Sequence, residues 1–227
     1  MGPFSGISRR ITAGFGIGFA VFLAAALGAA WGRPGTDSTD TQVEVFIIGH
    51  YHGLQASLGL GALAVLLFAL FASGLTTHLL RADDATGDSW APGFAIGAAG
   101  FLTLWTAALA VQGAYQGLAH NGQLPPLILE LFRVANTLAS GGGLFLGALL
   151  TAAGVSGLLN GTIPVPLAAL GLVDAVVALA SVGGLATARS TFGTLQIVAL
   201  VVLAVWALLV SVWLIVTPAD DSVPIPE

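Results

Sequence analysis

The 227-residue chain has no cysteine, and its six basic residues are all arginine, with no lysine. The first absence excludes disulfides, thiolate metal ligands and a cysteine nucleophile. The second excludes Schiff-base chemistry and hence a retinal-type chromophore. Charge of either sign is scarce: 7% of residues are charged and 56% hydrophobic, with mean hydropathy +0.96. Soluble domains carry about 25% charged residues, so this chain cannot cover its own surface for water. The net charge is -5 without any Lys/Arg cluster, which leaves no electrostatic footprint for nucleic acid or for a polybasic lipid-binding segment. There is also no Walker loop, dinucleotide fingerprint, GxSxG elbow or HExxH pair. No cofactor is required by the sequence.

What is present is a series of long apolar runs. Read for stretches of about 20 apolar residues, they predict an all-α integral membrane protein, a bundle of six transmembrane helices in a single domain. The spans fall at about 11–31, 52–80, 92–117, 126–159, 164–186 and 191–217, with an acidic, Pro-rich tail at 218–227. The first, RRITAGFGIGFAVFLAAALGAAWG, has a basic start like a signal peptide, but its apolar part exceeds the ~7 to 15 residues of such a leader. It reads as an uncleaved span. The connections RPGTDSTD, RADDATGDSWAP, NGQLPP and NGTIP are built from turn-forming residues. Pro92, Pro126 and Pro164 stand where helices start, a position that needs no amide hydrogen.

Arg9, Arg10 and Arg81 fall on one side of such a bundle, and Arg33 and Arg189 on the other, which places both termini in the cytoplasm by the positive-inside rule. Arginine without lysine, in an Ala/Gly/Val/Leu-rich chain, fits a GC-rich prokaryotic genome, so the expected location is a prokaryotic plasma membrane. Residues 56–75 and 139–158 echo each other, as two parallel helical hairpins would. Glycines within the spans, among them Gly142 and Gly143, are expected to let helices approach closely, because lipid gives apolar faces little reason to associate.

The polar residues inside the spans are the candidates for function. At 1.5 Å per residue, Glu130, Arg133 and Asn136 lie roughly 5, 9 and 14 Å below the outer start of the fourth span. With Thr137 and Ser140 they share an arc of about 120°, expected to face inward because intramembrane charges seek partners. Glu130 and Arg133, three apart, can also pair as a plain interfacial ion pair. Gln55, Gln112, Tyr115, Gln116 and Gln196 sit at similar outer depth on three other spans. Asp174 falls near the midplane of the fifth span, where the charged form of a carboxylate is expensive and proton-coupled carriers use it.

The segment GHYHG offers His50 and His52, which with His120, Asp37, Glu44 or Glu130 suggest a metal set, though with no recognised spacing. His78 has no evident partner at its level. The short loops leave no room for a soluble catalytic domain. The expectation is a small carrier, a ligand-binding module or an accessory subunit of a membrane complex, with an outward-facing polar site. The alternative is a membrane-embedded metal enzyme or metal-binding protein using the outer histidines. The expected partners are the lipid bilayer, further copies of the chain or other membrane subunits.

Overall fold

A computed structural model describes residues 4–35, 38–87, 89–120, 126–185 and 190–217. Asp37, Arg189 and the tail 218–227 lie outside the described residues. Among the described residues seven α-helices follow one another: α1 Phe4–Ala29, α2 Asp40–Gly49, α3 Tyr51–Thr86, α4 Trp90–His120, α5 Pro126–Asn160, α6 Val165–Ser181 and α7 Ser190–Val216. A 3-10 turn, Val182–Leu185, ends α6, and no strand occurs among the described residues.

Stretches within α1, α3, α4, α5 and α7 are long and apolar enough to cross a membrane. α6, with 17 residues, is shorter. The exterior agrees with this: Leu66, Ile96, Val173 and Val176 are all exposed, which suits hydrocarbon and not water. This is the build of a membrane-embedded, multi-pass protein.

Backbone chemistry sets the helix ends. α3 closes on Gly87, whose left-handed φ of 79° turns its amide back to the Asp83 carbonyl at 2.7 Å. α5 opens at Pro126, and α4 opens two residues before Pro92, leaving the proline in its first turn. α2 is not predicted by the apolar runs. It forms because Thr39 and Gln42 make a reciprocal capping box: Gln42 N donates to Thr39 Oγ1 at 3.4 Å, and Thr39 N to Gln42 Oε1 at 2.9 Å.

Each of the six other helices packs on two neighbours, in the closed order α1, α3, α4, α5, α6, α7 and back to α1. Aromatic rings fill the centre. Phe68 meets Phe19 at 4.7 Å and Phe101 at 5.5 Å between centroids, and Phe71 meets Trp206 edge-on at 6.4 Å. Glycine permits close approach between α4 and α5: a Cβ on Gly97 would lie 2.6 Å from the Leu149 nitrogen.

A second apolar cluster caps one end. Val43, Phe46 and Ile47 of α2 pack with Leu54, Tyr115, Ile128 and Phe132 of α3, α4 and α5. α2 therefore lies across the end that carries the candidate outer residues.

Candidate functional site

At the α2 end, one group of polar side chains converges. After α1 the chain turns at Gly32, with φ 80°, and brings Arg33 back over the bundle. Arg33 Nη1 donates to Gln112 Oε1 at 3.3 Å, and its guanidinium stands 5.0 Å from the Phe132 ring centroid. Gln112 Nε2 at 3.5 Å and Gln116 Nε2 at 3.2 Å both donate to the Leu54 carbonyl. Gln112 and Gln116 are buried, so these bonds hold the two amides in fixed orientation.

Tyr115 belongs to the same place. It is fully buried, packs edge-on against Phe132 at 5.9 Å, and its hydroxyl lies beside Gln116 without a well-formed hydrogen bond. Arg33 Nε is likewise buried with no partner among the described residues. Among the described residues Arg33 forms no ion pair, whereas Arg133 forms two. A half-buried cation with an unused N–H, in the connection after α1, and the hydroxyl of Tyr115 on α4 thus lie at one end of the bundle, with no carboxylate paired to them among the described residues. Buried polar groups left unpaired in this way cost about 1–3 kcal/mol each, and an oxyanion would satisfy them with charge-assisted bonds.

Three of the residues named from sequence, Gln112, Tyr115 and Gln116, are brought together here. Arg33 is the member that sequence reasoning missed, because a loop residue carries no helical periodicity to place it. The signal was its neighbour: Gly32 stands just past the predicted end of the first span, where a glycine serves chain reversal.

The stripe on α5 does something else. Glu130, Arg133 and Thr137 are exposed and Asn136 half-buried, while Ile128, Phe132 and Ala135 face inward. The expected inward stripe is therefore corrected: apolar residues take the inner arc because α2 seals it with Val43, Phe46 and Ile47. Arg133 pairs with Glu130 at 2.6 Å and with Asp40 of α2 at 2.7 Å. Only the deep end of the stripe turns inward, where Ser140 Oγ donates to Gln196 Oε1 on α7 at 3.2 Å. Gln55 is exposed and donates to Tyr51 Oη, one turn back on its own helix, at 2.6 Å.

The histidines are used as aromatic rings. His50 stacks on Phe46 at 4.5 Å, and His120 stacks on Tyr51 at 5.4 Å with His52 edge-on to the same tyrosine. Among the described residues no three His, Asp or Glu side chains form a group that could hold a metal. Asp37, one of the possible ligands, is outside them.

Two further polar places complete the picture. At the opposite end Asp83 is buried and accepts from Ala91 N at 2.7 Å and Asn160 Nδ2 at 3.5 Å. His78, which lacked a partner by sequence, donates from Nε2 to the Thr162 carbonyl at 3.1 Å and meets the Trp213 ring edge-on. Within the bundle, Asp174 is fully buried on α6 and neither of its oxygens has a hydrogen-bond partner among the described residues.

In comparisons with known proteins, no family model matches the chain, and no curated protein and no solved structure is significantly similar to it.

Proposed function

We propose that this is a small non-enzymatic membrane protein that binds, and as a carrier moves, a small anionic solute at the α2 end of its bundle. The observation that carries the reading is the Arg33 guanidinium, drawn over the bundle end against buried Gln112 and Phe132 with no carboxylate partner among the described residues. In this reading Arg33 supplies charge and a planar pair of donors, Tyr115 donates its hydroxyl, and Gln112 and Gln116 orient the ligand. Arginine suits the task because its fork matches a carboxylate or phosphate edge. α2 covers the site from its own side.

The same proposal takes α6 as a sixth crossing. Its 17 residues rise about 25 Å, the 3-10 turn adds length, and it closes the ring between α5 and α7. Six crossings put both ends of the chain on one side, the cytoplasmic side by arginine placement. The plasma membrane of a prokaryote is the setting that composition favours.

The test is thermal stabilisation of the detergent-solubilised chain by acetate, succinate, glutamate, phosphate and sulfate, each titrated against wild type and Arg33→Gln. An anion at 100 times its Kd adds about 2.7 kcal/mol of stability. The expected result is a saturable rise in melting temperature for at least one class, absent in Arg33→Gln. Equal responses in both proteins, or none in wild type, would overturn the assignment.

A further inference from the structure

We propose that Asp174 is an intramembrane proton-binding site, seated where α6 meets α5 and α7 and independent of the anion site at the α2 end. The buried face of α6 consists of Ala168, Gly171, Asp174, Ala175, Ala178 and Ser181. Its only carboxylate is completely enclosed, and both oxygens lack a partner among the described residues.

The hydrogen-bonding groups around this level are committed elsewhere. The Trp206 indole N–H, which faces Gly171 one turn away, donates to the Leu167 carbonyl at 3.0 Å. Thr151 Oγ1 on α5 donates to the Gly147 carbonyl at 2.7 Å, and Ser181 Oγ donates to the Ala178 carbonyl at 2.6 Å. On the α5 side the glycines admit α6 closely: a Cβ on Gly154 would meet the Leu172 side chain at 2.6 Å and the Ala168 carbonyl oxygen at 3.0 Å, and one on Gly147 the Leu179 side chain at 2.6 Å and the Ala175 carbonyl oxygen at 3.4 Å. Asp174 lies between these two levels.

Among the described residues no counter-charge reaches it from any element packed on α6. The 3-10 turn and α7 carry no ionisable side chain, and those of α5 are Glu130 and Arg133. Both sit near the far start of α5, about 24 Å along the axis from the Asp174 level. A buried charge without partner or hydrogen bonds costs several kcal/mol, so the site needs a positive species.

The surroundings select which one. Calcium and magnesium take six or more oxygen ligands and zinc four ligands, mostly from His, Cys or carboxylates, whereas this face offers alanine methyls, glycine backbone, one carboxylate and a committed indole. A proton requires one carboxylate oxygen. The step is a simple addition: an O–H bond forms on Asp174 as water or hydronium gives up its proton, with no redox change. A carboxyl that gains and loses a proton at this seam changes the charge held between α5, α6 and α7, which is what couples proton movement to a change in helix packing.

The test is infrared difference spectroscopy of the full chain in lipid bilayers, with the bathing buffer cycled between acid and alkaline pH. Wild type is expected to show the carbonyl band of a protonated carboxyl that rises and falls with the cycle and shifts in deuterium oxide. Asp174→Asn should lose that band, and Asp174→Glu should retain it at a displaced frequency, which also serves if the asparagine variant fails to fold. An unchanged band in Asp174→Asn would overturn the proposal by assigning the signal to another carboxyl. A band that neither titrates nor exchanges would overturn it too, since the group would then be a sealed structural acid. None of these outcomes depends on Arg33.

Discussion

The carboxylate of Asp40, the first residue of α2, lies 2.7 Å from Nη2 of Arg133 on α5, across 93 positions of sequence. This contact ties the capping helix to the bundle, and Glu130 holds the arginine in place from one turn away at 2.6 Å. Both pairs are well exposed, with Arg133 at 46% and its partners at 63%. Exposure makes the tie weak and sensitive to salt.

A double-mutant cycle on Asp40→Ala and Arg133→Ala is therefore expected to give a coupling of only about 0.2–1 kcal/mol, shrinking at high salt. Phe46→Ala, which empties part of the apolar cluster under α2, should cost far more, on the order of 3 kcal/mol. Thermal unfolding in mild detergent measures both. A coupling larger than the Phe46 effect would mean that charge, not apolar packing, seats α2.

The glycines divide into those that hold helices together and those that do not. A Cβ on Gly97 would press on the Leu149 backbone nitrogen at 2.6 Å and Cα at 2.9 Å, neither of which can rotate away, whereas a Cβ on Gly59 meets nothing within 4 Å. Gly97→Ala is expected to destabilise by about 1–3 kcal/mol. Gly59→Ala should be neutral, or slightly stabilising through its better helix propensity. Melting temperatures of the two variants decide it, and equal values would refute the close α4–α5 approach.

This contrast also marks how much the sequence discloses. Runs of apolar residues announce the long helices, because a bilayer demands length, and Pro126 and Pro164 mark where two of them begin. Which side a helix turns inward is another matter. The arc of Glu130 and Arg133 looks like an interior stripe only while α2 is unseen, and α2 is hidden in a ten-residue segment whose one legible mark is the Thr39/Gln42 capping box. Gln112, Tyr115 and Gln116 could be grouped by depth because they share one helix. Arg33 could not, since its position depends on a chain reversal at Gly32 and on Phe132, a hundred residues away. The polar layer of Asp83, His78 and Thr162 escaped for the same reason: it joins the last turns of α3 to the start of α4, the end of α5 and the connection after α5.

Asp83 should behave as a structural anion. It is 3% exposed and accepts the Ala91 amide at 2.7 Å in the first turn of α4, where the helix dipole also favours negative charge. Asp83→Ala strands that amide in a buried place, and a loss of about 1–3 kcal/mol is expected. Asp83→Asn keeps an acceptor and should cost less. If the alanine and asparagine variants melt together, the contact carries no stability.

The sharpest discrimination at the α2 end comes from Gln112→Glu. The new carboxylate would stand where Gln112 Oε1 now accepts from Arg33 at 3.3 Å, giving the guanidinium a permanent internal counter-ion. The lost donor is the weaker of two on the Leu54 carbonyl, at 3.5 Å, and Gln116 at 3.2 Å remains. The fold should therefore tolerate the change, since an ion pair replaces a bond from the same guanidinium to a neutral amide. An anionic ligand must then compete with a fixed carboxylate, and its apparent affinity should fall at least ~10-fold, or 1.4 kcal/mol. Anion titrations followed by melting temperature measure both quantities at once. An unchanged affinity in Gln112→Glu would show that Arg33 does not receive the ligand, even if Arg33→Gln had abolished binding by disturbing the end of α1.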